Sequence, residues 1–276
     1  MTRRFILGCP VCLLFLMHPF EAAAPPRAWL VPAHAAVDPA WVARQVDARD
    51  TGRDSRAEIR LRLHDRRGRV RERALVLLAR RDPAGDRLLI RFTAPADIAG
   101  TGFLVRERKG GEDERLLYLP SLGRVRRIAG AEAQESFVGT DFTYEDIGGR
   151  ELDDYVYALP DENAVWISPS GARHAAWLLE SRSRDASTRY PRVRSLVRKD
   201  NFVVVSAEIF DRSGERRKRY GVRRLEPVEG IWTVLEAEMA DLAEETRTEL
   251  VVERIDYNVG LSEAAFSRRE LEKGAP

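Results

Sequence analysis

Apolar and charged residues alternate with a period of two along much of this chain. In residues 57–63 every odd-numbered position is apolar and every even-numbered position is charged, which predicts a strand with one buried and one solvated face. Similar segments recur as far as residue 256, with short turn sequences between them. Because short turns join antiparallel neighbours, the pattern predicts a mainly β protein with an antiparallel sheet of about 11–12 strands, in a sandwich or a barrel.

Residues that favour turns mark most of the predicted strand ends. Residues 65–68, 82–85 and 120–123 are rich in Asp, Pro and Gly, so each is predicted to reverse the chain. By the same criterion we place a turn at residues 160–163, between strands at 154–159 and 164–167. From residue 129 to residue 149 the alternation is lost, which predicts a loop with one or two short helices.

Two short helices flank the predicted sheet. Asp38 is a plausible N-cap and Pro39 suits the first helical position, so residues 38–47 are predicted to be helical, with Trp41 and Val46 on an apolar face. This helix would either pack over the end of the sheet or form a lid over a cavity. Residues 261–273 are predicted to form the second helix.

The first 36 residues have the features of a secretory signal peptide. Arg3 and Arg4 precede an apolar run at residues 5–17, and a tract rich in Ala and Pro follows. The run is shorter than the roughly 20 residues needed to cross a membrane. We therefore expect cleavage near Ala35 or Ala36, export to the periplasm, and a single domain at residues 37–276.

Cleavage would change both the charge and the thiol content. The full chain has 276 residues and a formal net charge of +2, whereas loss of three arginines and one glutamate would leave 43 basic and 43 acidic residues. A neutral chain argues against a general nucleic-acid-binding protein. Cys9 and Cys12 would also be removed, which excludes disulfides and cysteine nucleophiles. Lipid attachment at Cys9 is an alternative, but most of the apolar run follows that residue instead of preceding it.

Signatures of catalysis are absent from the sequence. It contains no G-x-S-x-G, P-loop, G-x-G-x-x-G or H-E-x-x-H motif, and the predicted mature chain has only two histidines, His64 and His174, which we interpret as surface residues. Carboxylate pairs such as Asp113 and Glu114 lie in charged turns and are predicted to be solvated. We therefore expect no catalytic residue, no metal site and no cofactor.

Three arginines within four residues, Arg124, Arg126 and Arg127, stand out in the middle of the chain. They would either form a solvated strand edge that discourages aggregation or contribute to the rim of a binding site. In the second case one arginine would bind a ligand head group or a nearby carboxylate. The candidate carboxylates are those of Asp141, Glu145 and Asp146.

Several segments of the chain resemble a known family. They are residues 97–101, 118–120, 122–128, 137–146, 230–232 and 246–250, together with Phe266. Over residues 40–272 the sequence resembles bacterial outer-membrane lipoprotein-sorting proteins, which are LolA-like in fold. Leu116 and Thr140 depart from the pattern of the family, which often has tryptophan and serine at these positions.

The resemblance implies an open, strongly curved antiparallel half-barrel with a few short helices covering its concave face. It also implies a monomeric carrier that holds the acyl chains of lipoproteins or other lipids during transport toward the outer membrane, in some cases with an inner-membrane transporter of the resistance–nodulation–division (RND) type. The residues expected to line the cavity or its lid are Phe92, Phe103, Leu117, Tyr118, Phe137, Phe142, Tyr144, Trp166, Trp177 and Trp232. For each of them, packing in an ordinary core is the alternative.

Within this interpretation, the arginines at 124–127 and residues 140–146 would form a polar latch at the mouth of the cavity. Two other functions remain open. One is an envelope enzyme that acts on a lipid or glycan with a pair of carboxylates, and the other is an accessory subunit of a transporter that binds no lipid.

Overall fold

Thirteen strands form one antiparallel sheet in the computed structural model, which describes residues 4–5, 36–108 and 111–273. The strand order is β7-β6-β5-β4-β3-β2-β15-β14-β13-β12-β11-β10-β9. The bounds are β2 Asp54–His64, β3 Val70–Arg80, β4 Arg87–Ala94, β5 Gly102–Arg106, β6 Glu114–Leu119, β7 Arg124–Arg127, β9 Tyr155–Ile167, β10 Arg173–Ser183, β11 Arg192–Arg198, β12 Val204–Phe210, β13 Arg216–Val228, β14 Ile231–Asp241 and β15 Thr246–Tyr257. Two further strands, β1 Arg4–Phe5 and β8 Arg150–Glu151, pair only with each other.

The sheet consists of two meanders joined side by side. Strands β2 to β7 form one and β9 to β15 the other, and antiparallel pairing of β2 with β15 joins them, with Leu61 opposite Leu250. Strands β7 and β9 are the two edges, so the sheet is curved but not closed. The predicted mainly β, open antiparallel architecture is confirmed, with thirteen strands instead of 11–12.

One predicted turn is wrong. Residues 160–163 lie inside the continuous strand β9, where register shifts against β10 occur on both sides of Asp161. These irregularities accommodate the extra residues, and an edge strand tolerates Pro160 because only one side of the strand pairs. The turn signal of Pro160 and Asp161 therefore indicates a bulged edge, not a chain reversal.

The three α-helices are short and lie in different places. They are α1 Pro39–Ala48, α2 Tyr144–Gly148 and α3 Arg268–Glu272. The carboxylate of Asp38 accepts from the backbone N–H of Ala40 and Trp41, which confirms the predicted N-cap. The predicted C-terminal helix is divided into a 3-10 turn, Glu263–Phe266, and α3, because Ser267 between them is extended and caps α3.

The main core lies on one face of the sheet, which we call the inner face. Alternate residues such as Ile59, Ile90, Phe103, Val205 and Met239 are buried there. Most of the other strands contribute in the same way, because in a strand every second residue points to the same side.

Two smaller clusters complete the packing. Val42 and Val46 of α1 contact Trp177 and Val197 near the β9 edge, and Arg81 donates to the carbonyl of Asp47 at the end of the helix (2.6 Å). Helix α1 therefore packs on the sheet beside its β9 edge. In contrast, Phe266 and Leu271 cover three leucines, Leu89, Leu104 and Leu116. These leucines alternate along their strands with residues of the inner face. Helix α3 therefore lies on the opposite face of the sheet, whereas the short helices were expected to cover the inner one.

None of the helices in the described part of the chain is both long and apolar enough to span a membrane. The predicted signal peptide lies outside the described residues, apart from residues 4–5 and 36, and its cleavage stays a prediction.

Candidate functional site

A single connection, residues 128–149, lies over the inner face between β7 and β8, and we call it the cover segment. It contains two 3-10 turns, Gly130–Gln134 and Phe137–Gly139, followed by α2. This agrees with the loop and short helices predicted for residues 129–149. The segment is the natural candidate site because its residues cover the main apolar core of the inner face.

Phe137 is the main apolar anchor of the cover segment. Its ring centroid lies 5.8 Å from that of Phe92, 5.5 Å from Phe103 and 5.4 Å from Tyr144, and all four side chains are buried. Each buried aromatic side chain contributes about 1.5–3 kcal/mol by leaving water, and tilted or edge-on ring pairs add about 0.5–1.5 kcal/mol. The aromatic cluster therefore fixes the segment to β4 and β5.

The chain turns sharply just after this anchor. Val138 has φ of 48° and Gly139 has φ of 72°, and a left-handed conformation is unfavourable for a β-branched residue such as valine. Two hydroxyl groups stabilise the turn: Thr140 Oγ1 donates to the carbonyl of Phe137 (2.8 Å), and Ser136 Oγ donates to that of Thr140 (2.6 Å). The turn presents the Val138 carbonyl to the sheet.

Arg73 of β3 binds that carbonyl. Its Nη1 donates to the oxygen of Val138, and the guanidinium carbon lies 6.0 Å from the ring centroid of Phe92. Burial lowers the pKa of Arg73. An arginine thus holds the strained turn of the cover segment, although no sequence pattern singled out this residue.

Asp141 anchors the segment to the other meander. Its carboxylate accepts from the hydroxyl groups of Thr246 and Thr248, at 2.6 Å for Thr248. Its backbone N–H donates to Thr248 Oγ1 (3.0 Å), and its carbonyl accepts from Lys218 Nζ (2.6 Å). Thr248 and Lys218 are both buried, so this polar contact lies within the apolar surface between β13 and β15.

Arg115 of β6 holds the far end of the segment. Its Nη2 donates to the carbonyl of Gly149 (3.1 Å), and a Cβ at Gly148 would lie only 3.0 Å from its Nε. Burial lowers the pKa of Arg115. Asp113 lies 3.6 Å from the guanidinium and is itself buried, so the prediction that Asp113 is solvated is wrong.

The three predicted carboxylates of the latch have other roles. Asp146 belongs to a capping box at the start of α2: its Oδ2 accepts from the N–H of Thr143 (2.9 Å), and its own N–H donates to Thr143 Oγ1 (3.0 Å). Glu145 acts electrostatically on Arg115. Asp141 bonds to the threonines described above.

The arginines of β7 contact other acidic residues. Arg126 forms an ion pair with Glu132 inside the cover segment (2.7 Å), and Arg127 pairs with Glu112 (2.6 Å). Arg124 is exposed. Arg126 therefore contacts the cover segment, but its partner is Glu132, which was not among the carboxylates predicted to bind these arginines.

The predicted apolar residues fall into four places. The inner face and the cover segment bring together Phe92, Phe103, Leu117, Phe137, Phe142 and Tyr144. Trp166 and Trp232 lie in another part of the same core beside the Arg198 guanidinium, with ring centroids 5.9 and 5.1 Å from its carbon. Trp177 stacks on Phe202 beside α1, and Tyr118 packs with the cluster of Phe266.

The residues that sequence reasoning missed are Arg73, Arg115, Lys218, Thr246 and Thr248. One signal was available. Lys218 precedes Tyr220 and Val222, and Thr248 precedes Leu250, at two-residue spacing. In each strand a polar residue therefore occupies a position where the alternation calls for an apolar one, and a buried polar residue needs a hydrogen-bonding partner.

Two solvent-accessible clefts flank the Asp141 end of the cover segment. The larger has a volume of about 610 Å³ and includes Gln134, Tyr190 and Arg217; the smaller, of about 390 Å³, includes Arg67 and Thr246. Both are lined mainly by polar residues. In the part of the chain that the structure describes, no cluster of three or more His, Cys, Asp or Glu side chains could hold a metal ion.

The two histidines are less exposed than predicted for surface residues. His64 Nε2 lies 3.1 Å from a Glu249 oxygen, and its side chain is only 16% exposed. The ring of His174 packs against Trp166 with centroids 5.3 Å apart. Neither residue lies in the cover segment.

Solved structures with the same fold come from several bacteria. An outer membrane lipoprotein-sorting protein domain from Vibrio parahaemolyticus aligns with a TM-score of 0.76 and 26% identity over 85% of this chain and 98% of its own. A DUF1329 family protein from Desulfovibrio piger gives 0.74 and 28% over 84% and 95%. A LolA superfamily protein from Nitrosomonas europaea gives 0.65 and 17% over 85% and 100%, which supports the fold alone.

A search of curated proteins gives no match. The sequence model of a protein family described as uncharacterized matches residues 84–273, which is more than half of the chain. This matched region includes the cover segment and eleven of the thirteen strands of the large sheet. The chain therefore belongs to that family, and its structural relatives are outer-membrane lipoprotein-sorting and LolA-superfamily proteins.

Proposed function

We propose that this protein is a periplasmic carrier that binds the acyl chains of lipoproteins or other lipids between the inner face and the cover segment. The observation that carries the proposal is the way one 22-residue connection covers a continuous apolar sheet surface. The similarity to the Vibrio lipoprotein-sorting protein domain supports the same function.

Binding would require the cover segment to move, because its aromatic residues occupy the inner face. Displacing Phe137 and its neighbours exposes apolar surface, whereas an incoming acyl chain regains about 0.8 kcal/mol for each buried CH₂. A chain of a dozen or more carbons is therefore long enough to replace the aromatic contacts. The polar contacts of Arg73, Arg115 and Asp141 would re-form when the ligand leaves, which suits a carrier that must also release its cargo.

A reversible cross-link tests this mechanism. The predicted mature chain has no cysteine, so Asp141→Cys with Thr248→Cys introduces a unique pair at positions whose side chains are hydrogen-bonded. Oxidation should abolish uptake of a fluorescent fatty acid, and reduction should restore it. The matched control is Arg62→Cys with Glu249→Cys, a directly opposed pair in β2 and β15 outside the cover segment, which should leave uptake unchanged.

The carrier proposal fails if the reduced protein takes up no fatty acid and native mass spectrometry after mild purification shows no co-purified lipid. If the oxidised and reduced forms of the Asp141→Cys/Thr248→Cys protein took up equal amounts of fatty acid, the lipid-binding proposal would stand. The proposed movement of the cover segment would be refuted. Mass spectrometry under denaturing conditions establishes that the cross-link has formed.

Transport toward the outer membrane with an RND-type transporter is the finer part of the proposal. Affinity purification from envelope membranes should recover such a transporter with the protein. The enzymatic alternative is tested by Glu145→Gln with Asp146→Asn. A carrier should retain fatty-acid uptake in this variant, whereas loss of a measurable hydrolytic activity would favour an enzyme.

A further inference from the structure

Lys218 of β13 places an ammonium group inside the apolar inner face. The residue is only 5% exposed, its Nζ donates to the carbonyl of Asp141 (2.6 Å), and the same atom lies 5.4 Å from the ring centroid of Tyr190. None of the described carboxylates forms an ion pair with it. A buried charge is normally paired with an opposite charge, so an ammonium group held mainly by one carbonyl indicates a site that can receive an anion.

Two hydroxyl groups of β15 are directed at the same residue of the cover segment. Thr246 and Thr248 each donate to one carboxylate oxygen of Asp141, and Thr248 is fully buried. Three donor groups on two strands therefore bind three oxygens of a single residue, two of them from a carboxylate and one from a carbonyl. We call Lys218, Thr246 and Thr248 the donor triad.

Movement of the cover segment would take Asp141 away from the donor triad. An acyl chain can reach the inner face only if this movement occurs, so the ammonium group and both hydroxyls lose their acceptors at the moment when the ligand binds. Buried donors left without acceptors are costly. A ligand removes that cost only if its head group supplies oxygen acceptors where those of Asp141 had been.

The surroundings of the donor triad already accommodate one negative charge. Asp241 lies opposite both Lys218 and Thr246 in the register of the sheet, and its carboxylate accepts two backbone N–H groups of the β14–β15 turn (3.0 and 3.1 Å). This turn also carries Glu244. The folded protein binds the Asp141 carboxylate in spite of these acidic neighbours, so exchange of that carboxylate for an anionic head group leaves the local charge unchanged.

We propose that the donor triad is a head-group site, at which the anionic oxygens of an acyl ligand replace those of Asp141. The inference rests on the carrier function proposed above and specifies the class of ligand. Hydrogen bonds to an oxyanion are charge-assisted and stronger than those to a neutral group. A phosphate monoester supplies three terminal oxygens for the three donor groups and a carboxylate supplies two, so a phosphate suits the triad best. Asp141 is then an internal occupant that the ligand displaces.

Titration calorimetry on the mature protein tests the proposal with ligands that share one alkyl chain and differ in the head group. They are dodecyl phosphate, dodecanoate, dodecanol and dodecylamine, at about pH 8, where both acids are ionised. Dodecyl phosphate should bind roughly 10- to 100-fold more tightly than dodecanol, which is the range expected for hydrogen bonds to a charged group. Dodecanoate should be intermediate, and dodecylamine should bind most weakly because an ammonium head supplies no acceptor.

Replacing Lys218 tests the head-group site separately from the acyl site. Lys218→Met removes the ammonium group at similar side-chain length, so it should weaken dodecyl phosphate binding roughly tenfold and leave dodecanol binding unchanged. The matched control is Lys199→Met. The Nζ of Lys199 also lies near an aromatic ring, 5.3 Å from that of Trp177, but outside the cover segment, so this variant should bind every ligand like the wild type.

Equal affinity for dodecanol and both anionic ligands would overturn the head-group site and leave the carrier function standing. A preference for anionic heads that persists undiminished in Lys218→Met would also overturn it, and failure of all four ligands to bind would overturn both proposals. The comparison of ligands needs no substitution, so it remains decisive if Lys218→Met does not fold. The tighter of the two anionic ligands identifies the source of the head group, an acidic phospholipid for the phosphate and a free fatty acid for the carboxylate.

Discussion

Individual polar residues on the inner face determine where the cover segment attaches. Thr248 is fully buried and contacts both the backbone and the carboxylate of Asp141. Asp141 is half-buried, and a partly desolvated carboxylate that loses a donor costs more than the bond itself contributes, because water only partly replaces that donor. The threonines of β15 are therefore expected to contribute to stability as well as to position.

Replacing Thr248 with valine tests this role at nearly constant volume. We expect Thr248→Val to lower the free energy of unfolding by about 1–3 kcal/mol, because Asp141 loses one donor and its N–H loses an acceptor. Urea denaturation provides the measurement. Thr93→Val, at an exposed position of β4, is the control and should change stability by no more than about 0.5 kcal/mol; equal effects of the two substitutions would contradict the assigned role.

Asp211 makes stability depend on pH. The Ser213 hydroxyl and the Arg217 guanidinium donate to its carboxylate at 2.6 Å each and hold its pKa well below the usual value of 3.8. Because the pKa is lower in the folded state, the ionised carboxylate stabilises that state at pH values above the unfolded-state pKa. This stabilisation is lost progressively as the pH falls from the unfolded-state pKa toward the folded-state pKa. Asp211→Asn should thus lower Tm near neutral pH, with a difference from wild type that shrinks below about pH 4.

The control is Glu244→Gln, a substitution at an exposed position of a neighbouring turn, which should change Tm near neutral pH by much less than Asp211→Asn does. A constant difference between Asp211→Asn and the wild type from about pH 2 to about pH 7 would show that the substitution acts through geometry and not through the charge.

At the scale of elements, the cover segment behaves as part of the core. Phe137 lies between rings of β4, β5 and α2. The side chain is only 2% exposed, so its removal should leave a cavity in a well-packed cluster.

Phe137→Ala should accordingly lower the free energy of unfolding by about 3–5 kcal/mol. Chemical denaturation followed by tryptophan fluorescence measures the change. Leu122→Ala, at an exposed position, serves as the control and should have little effect. A loss below about 1 kcal/mol for Phe137→Ala would indicate that the cover segment detaches without destabilising the sheet.

The accuracy of the predicted strands and helices varies along the chain. Periodicity located β2 and most other strands within a few residues, because their buried positions recur strictly at every second residue. It failed at Pro160, where turn-forming residues lie in a bulged edge strand. It also could not show that Ser267 interrupts the C-terminal helix, because that break depends on how Phe266 and Leu271 pack on the sheet.

At the scale of the whole molecule, processing of the N-terminus is the main untested expectation. Intact mass spectrometry of protein isolated from the periplasm should show loss of the first 35 or 36 residues and no reaction with a thiol reagent, since both cysteines lie in the removed part. Retention of Cys9 with an added lipid mass would instead establish the lipid-anchored alternative.

The sequence alone determined the class of the fold, the antiparallel connections and the importance of residues 128–149. These properties depend on local periodicity, turn chemistry and a resemblance carried by contiguous motifs, all of which can be read along the chain. The resemblance also pointed to Phe137, Phe142 and Tyr144, which lie together in the main core.

Only the tertiary structure decided which residues hold that segment. Arg73, Arg115 and Lys218 are distant from it along the chain and are ordinary charged residues by composition, and their partners are mostly backbone carbonyls, which have no sequence signature. The β7 arginines were predicted to pair with Asp141, Glu145 or Asp146. Instead, Arg126 forms an ion pair with Glu132, and the carboxylate of Asp141 accepts from two threonines. Register across the joined meanders brings Thr246 and Thr248 to Asp141, and no local pattern encodes that long-range register.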